Sequence, residues 1–564
     1  MKKFLFHFIA ISIIPLLMLG TLELGLRLAG YGHDSHFLIR CKDPQCKFWH
    51  DNPEFTVPFF SRPFARSALP ILIPDTKPPK TYRIFVMGSS ACAGYPIPEF
   101  SFSRILQVML KAQFPEANIE VINVSNVAIN SHVVRKIIKE LASHKPDLFI
   151  IYMGNNEVIG PYGPGTVFAP FASQLGLVRA NIYLNSTKIG QILQSVIDMI
   201  PGTNSHRPKK WDGLAMFVNH RIPLSDPRMQ TTYRFYEKNL EDILTYTHRA
   251  GAKTILSTVG ANLKDTAPFA SLHGRAVTPE WNTLYEAGIN LEAAGNFEPA
   301  IEKYQAASQI DADYAELHFR LGRCYQALGK LDLAKQAYTK ALDLDALRLR
   351  ADTKINEIIR KVALKKKPEG VDLLDTAELL NAQSPLGIAG QKFLYEHVHL
   401  NFDGNYAIAE ALLPRVKAQL PQWILETQKE NTPVLSKELC AKYLGYTKLE
   451  ELVSVNDLLR TIVNRPPFIG VLTYTEMAGH LNQNLEALNL YFKDNGYQGV
   501  LGQLQDSFQY NPQDPWIHYH LGRAFLLVNK PRTAITHLQF AVKRMPSLKD
   551  ARRLLKMAEE SIDK

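Results

Sequence analysis

Cysteine is scarce. Five residues in a chain of 564 are too few for a disulfide scaffold. Cys41 and Cys46 lie close together and read either as a small-loop disulfide in an oxidising compartment or as two free thiols. No Cys-x-x-Cys pair and no clustered His/Cys set occurs, so neither a structural zinc site nor a cofactor site is expected. Dense basic runs interleaved with aromatics are also missing. The formal net charge of +10 comes from scattered Lys and Arg. That distribution speaks against a nucleic-acid partner and for solubility with some affinity for anionic surfaces. Charge does not dominate either: 21% charged against 46% hydrophobic residues excludes extensive disorder. A single core stops growing at roughly 250–300 residues, so several domains are expected.

Long apolar runs occur only at the start. Met1-Lys2-Lys3 precedes an apolar stretch from Phe4 to about Leu22 in which His7 is the only strongly polar member. About 20 apolar residues span a bilayer, and this run just reaches that length. No small-x-small cleavage site follows; Leu24 to Gly30 continues as a helix instead. We read residues 1–30 as an uncleaved, single-pass signal anchor in a membrane. The lysines would stay in the cytoplasm and the rest would face the periplasm or the exterior.

Seven prolines between residues 53 and 79 break helices and central strands, so residues 31–80 read as linker and irregular lead-in. Apolar runs at Tyr82–Met87, Ile119–Val124, Leu148–Met153 and Thr254–Val259 then alternate with helical spacing at Ser103–Phe114, Val133–Ser143 and Tyr233–Arg249. This is the pattern of a parallel sheet covered on both faces. A 34-residue repeat follows. Gly288 and Gly322, Ala300 and Ala334, Tyr304 and Tyr338, and Ala307 and Ala341 are each 34 apart, which resembles the tetratricopeptide repeat. The α/β pattern resumes at Val371–Leu374 and ends in a helix from Ala407 to about Leu420, where Pro414 is expected to kink or split it. Gly522, Phe525, Ala534, Leu538, Ala541 and Pro546 fit one more repeat. Residues 430–480 carry no clear signal. The expected organisation is therefore an α/β domain in two parts, 81–275 and 366–425. A tetratricopeptide insert over 276–365 interrupts it, and a helical, repeat-like region over 426–564 follows it.

Four short motifs fall at the carboxyl ends of strands or just after them, where open α/β sheets bind ligands. They are Met87-Gly88-Ser89-Ser90 continuing to Tyr95, Asn123 to Ser131, Gly154-Asn155-Asn156-Glu157, and Glu396-His397-Val398-His399 continuing to Tyr406. In this order they resemble the SGNH (GDSL-type) hydrolases, in a bacterial subgroup carrying tetratricopeptide repeats. The resemblance implies a flavodoxin-like three-layer domain. It implies Ser90 as nucleophile, His399 as base and Glu396 as the carboxylate that orients it. It also implies an oxyanion hole from the Ser90 and Ala128 backbone N–H groups and the Asn156 side chain. Ser89 stands where the family has Asp, Ala128 where it has Gly, and Glu396 where it has Asp. The implied activity is hydrolysis of an O-acyl ester, acetyl above all, on an envelope carbohydrate or another ester substrate. The alternatives are an O-acyltransferase using the same triad, or an interaction scaffold whose repeats bind a protein partner around a vestigial core. His397 and His132 read as structural neighbours of the site. Gly160 to Gly165 reads as a turn-rich loop that either shapes the pocket or lies on the surface.

Overall fold

The computed structural model describes residues 13–41, 47–60, 62–200 and 210–562. Cys46 and residues 1–12 of the expected anchor lie outside the described residues. The proline-rich lead-in does not remain irregular. Strands β1 (Leu38–Arg40), β2 (Phe48–Asp51) and β3 (Leu72–Pro74) pair antiparallel. Beneath them Phe37, Phe55, Phe59 and Phe60 are buried. Four aromatic side chains supply the apolar area that a segment lacking long strands needs to stay folded.

The central sheet has five parallel strands: β4 (Thr81–Gly88), β5 (Asn118–Asn123), β6 (Leu148–Tyr152), β7 (Lys253–Ser257) and β8 (Val371–Leu374). Their order is β5-β4-β6-β7-β8. Every residue of β4 and β6 is buried, as expected of strands covered on both faces. Helices Phe102–Gln113 and Phe402–Lys417 pack together against the sheet, and so do Ser131–Leu141, Pro227–Arg249 and Thr353–Lys366. Right-handed crossovers put these two groups on opposite faces. The helix Phe402–Lys417 runs unbroken through Pro414, so the expected split does not occur. The order reverses between β4 and β6, which opens a crevice at their carboxyl ends.

Between β7 and β8 the chain forms two helix pairs, Pro279–Ala293 with Phe297–Ile310 and Ala315–Ala327 with Leu331–Leu344. The reason for the repeated glycines is steric. A Cβ on Gly288 would stand 2.4 Å from Tyr304 Cε1, and one on Gly322 would stand 2.7 Å from Tyr338 Cδ1. In the C-terminal pair Pro515–Leu527 and Pro531–Arg544, Gly522 meets Leu538 in the same way.

The expected transmembrane anchor is corrected. The described part of the N-terminal apolar segment is a helix of 15 residues, Ile14–Leu28. Among the described residues no helix is long and apolar enough to cross a membrane. Glu23 of this helix accepts hydrogen bonds from the backbone N–H groups of Lys188 and Ile189, both at 3.0 Å. It thereby satisfies orphan donors at the start of helix Lys188–Met199.

Candidate active site

β4 ends in Gly88, where a Cβ would lie 2.0 Å from the Tyr152 carbonyl oxygen of β6. Only glycine lets the two strands close here. The chain then turns through Ser89 into the short helix Ser90–Ala93, which leaves Ser90 half-buried at the mouth of the crevice. From 309 positions further along, His399 brings its Nε2 to 2.8 Å from Ser90 Oγ. The Glu396 carboxylate completes the line with Oε1 against His399 Nδ1 and accepts the His399 backbone N–H at 3.0 Å. This network fixes the neutral tautomer, with Nδ1 donating to the carboxylate and Nε2 accepting from the serine hydroxyl. Glu396 is wholly buried, and burial pushes His399 down to about 3. The ring is therefore an uncharged base through the neutral pH range.

The remaining predicted residues converge on the same place. Asn156 and Ala128 line a cavity of about 150 Å³ with Ser90 and His399. Asn156 donates one side-chain N–H to the Ile129 carbonyl at 3.1 Å, which ties the loops after β5 and β6 together. Ala128 has φ of +63°, a left-handed conformation that costs an L-residue roughly 1–2 kcal/mol. Ala128→Gly is expected to leave stability unchanged or raise it by up to about 1 kcal/mol, since relieved strain competes with unfolded-state entropy. A denaturant titration showing a loss instead would mean that the methyl packs productively in the cavity.

Two neighbours serve the loops rather than the cavity. Glu157 is buried, accepts from the Ser131 backbone and hydroxyl at 2.9 and 2.7 Å, and is pushed up to about 7 by burial. His132 is buried against Asn239 at 3.1 Å and held down at about 3. In the Gly160–Gly165 loop, Asn130 holds the Pro161 carbonyl at 2.8 Å, and Gly160 itself lines the cavity.

Sequence reasoning missed the far wall. Tyr95 packs its ring 4.9 Å from His399 and bonds through its hydroxyl to Asp457 at 3.0 Å and Thr461 at 2.8 Å. Thr461 and Ile462 reach the cavity from the C-terminal region, beside Phe168, Trp211 and Leu349. Residues 457–462 end a helix and enter a π-helical turn, and no local motif marks them.

Donor atoms of Glu396, His397 and His399 lie within 4.8 Å of one another. Each imidazole, however, turns Nδ1 onto a different oxygen of the one carboxylate. Both Nδ1 atoms are thus taken up by the carboxylate.

Comparison with known proteins gives a different emphasis. Family models for the TPR repeat match residues 293–329, and for the tetratricopeptide repeat residues 315–346. Two curated plant proteins are similar over 58 residues, each named "Probable UDP-N-acetylglucosamine--peptide N-acetylglucosaminyltransferase SPINDLY". The one from Oryza sativa subsp. japonica is 40% identical and the one from Hordeum vulgare 38%. That stretch is 10% of this chain, and the chain spans only 6% of the length of either relative. A thermophilic TPR protein of Thermus thermophilus aligns over 49% of this chain and 98% of its own. Its identity is 13% and its TM-score 0.12. The TPR2AB domain of yeast Sti1, solved in a pHSP90 complex, aligns over 50% and 98% with 14% identity and a TM-score of 0.13. These structural scores carry no argument about the whole fold. The expectation of membership in the SGNH family, and with it of an ester hydrolase, is corrected by these findings. The family models that match describe repeats, and the curated relatives that match are named glycosyltransferases. What stands is a mixed α/β chain with a five-stranded parallel sheet that carries tetratricopeptide repeats.

Proposed function

We propose that this chain is a repeat-based interaction protein whose sheet carries a serine acyl-transfer site. The repeats support the first half, since stacked helix pairs of this type present extended surfaces to protein partners. The second half is carried by one observation, the unbroken line from Ser90 Oγ through His399 to Glu396 at the mouth of an apolar cavity. Counted along the chain, the strand order of the sheet is second, first, third, fourth, fifth, the order of flavodoxin-like domains.

In the first half-reaction Ser90 Oγ attacks the carbonyl carbon of an acyl donor and gives its proton to His399 Nε2. The ring then passes that proton to the departing oxygen. In the second, a hydroxyl of the acceptor gives its proton to His399 and attacks the acyl carbon, and Ser90 Oγ recovers the proton as its bond breaks. The Ser90 and Ala128 backbone N–H groups and the Asn156 amide are the proposed donors to the oxyanion, each worth roughly 2.7–4 kcal/mol of barrier. The acceptor is a hydroxyl compound that enters the cavity beside Ser90. Apolar walls from Phe168, Trp211 and Leu349 limit the access of bulk water to the acyl-serine.

Reaction of the full chain with a fluorophosphonate probe tests the site directly. Labelling at Ser90 is expected, and its absence would leave only the interaction role. Glu396→Gln is expected to slow labelling by about 10²–10⁴-fold, because a neutral partner holds the ring but does not stabilise the imidazolium. An unchanged rate would remove Glu396 from the proposal.

A further inference from the structure

We propose that His397 is a positioning residue for this site: it occupies the Glu396 oxygen that His399 leaves free, divides the carboxylate's charge between two rings, and so keeps His399 a neutral base. This rests on the reading of Ser90 as a nucleophile.

The geometry is nearly symmetrical. Glu396 Oε1 takes the backbone N–H and the ring Nδ1 of His399, while Oε2 takes the backbone N–H of His397 at 2.6 Å and its ring Nδ1. The two rings stand 5.7 Å apart, nearly perpendicular. His397 is held from two sides, by Phe269 at 5.5 Å and by Phe468 of the C-terminal region at 5.4 Å. These edge-to-face contacts fix the ring plane that aims Nδ1 at the carboxylate.

Around His399 the titratable and charged groups are Ser90, Glu396, His397 and Tyr95, whose hydroxyl is turned away to Asp457 and Thr461. Beyond His397 lies Arg350, already paired with Asp345 at 2.9 Å. Glu396 is the anion in contact with both rings. Each N–H that a carboxylate accepts stabilises the anion and weakens its pull on any other proton. With His397 in place, the imidazolium form of His399 receives only part of that charge. Burial and the neighbouring His399 also hold His397 well below its ordinary value, so His397 remains an N–H donor rather than a rival cation. Without the His397 donor the charge concentrates on Oε1, imidazolium becomes easier to form, and His399 is protonated at higher pH.

The test is the pH dependence of fluorophosphonate labelling at Ser90 in the full chain. Wild-type labelling is expected to hold between about pH 5 and pH 8. His397→Phe keeps the ring volume and removes the donor, so its acid limb should move up by at least about one pH unit. His397→Gln restores an N–H donor and should bring the limb back down. A ring that serves only as packing would lower the rate in both variants without moving the limb, and that result would overturn the inference. Should His397→Phe not fold, ¹⁵N spectra of the wild-type histidines decide the matter. Both rings are expected neutral with the proton on Nδ1, and a His397 proton on Nε2 would overturn the inference. Failure of wild-type Ser90 to label would strike the nucleophile reading alone, since the spectra still report on His397.

Discussion

Ser90→Ala will abolish fluorophosphonate labelling of the full chain while leaving its melting behaviour close to wild type. In comparable serine triads, loss of the nucleophile alone costs on the order of 10⁶-fold. Ser90 is half-buried and makes one side-chain bond, to His399 Nε2 at 2.8 Å. Removing that hydroxyl leaves a ring nitrogen facing the cavity, a penalty of about 1 kcal/mol. Reactivity and stability therefore separate cleanly in this variant. Asn156→Ala should fall between the two, because the side chain both faces the cavity and ties down the Ile129 carbonyl. Labelling of Ser90→Ala at the wild-type rate would place the reactive nucleophile elsewhere in the chain.

The second large effect concerns the repeats. Glycine inside a helix ordinarily costs about 0.5–1 kcal/mol relative to alanine, so Gly→Ala should stabilise wherever space allows. At Gly479, in helix Tyr474–Asn495, nothing lies within 4 Å of an added Cβ, and Gly479→Ala should gain about that amount. At Gly322 the added carbon would stand 2.7 Å from the Tyr338 ring, against an optimal carbon contact of about 3.5–4.0 Å. Tyr338 is buried and bonded through its hydroxyl to Gln326, so it has little room to move. Overpacking of this kind costs about 1–3 kcal/mol. The two substitutions are thus expected to shift the denaturant midpoint in opposite directions. Amide exchange would be accelerated by Gly322→Ala in helices Ala315–Ala327 and Leu331–Leu344. Stabilisation by Gly322→Ala would mean that these helices do not approach as closely as their sequence requires.

Parts of this architecture are legible in the residues because local rules produce them. Buried strands such as Thr81–Gly88 write themselves as unbroken apolar runs, and the repeat writes itself as Gly and Tyr at a fixed period. The motif residues at strand ends are legible as a set, since the parallel sheet collects them at one edge. The lead-in is not legible, because proline density hides a small sheet held mainly by phenylalanines. The cavity's far wall is not legible either: Tyr95 and Thr461 meet through a contact between distant segments, and neither residue type is rare. Family membership fails for a related reason. Short motifs after strands, three of the four rich in Gly, Ser or Asn, are also what tight turns there require. The repeats carry the stronger signal to known proteins.

The repeat stack between β7 and β8 also bears on how the ends of the site find one another. Ser90 and His399 are separated by 309 positions, and the entropy of closing a flexible loop rises with each doubling of its length by about 0.6 kcal/mol. Residues 279–344 do not behave as such a loop. Their helix pairs contact near neighbours in sequence, a topology that forms early and fast. Once collapsed, they shorten the effective tether between Ser257 and Val371, so the last strand is delivered to the sheet by a compact spacer instead of an open coil. Melting the stack would lengthen that tether and slow the arrival of His399 at Ser90 without touching either residue.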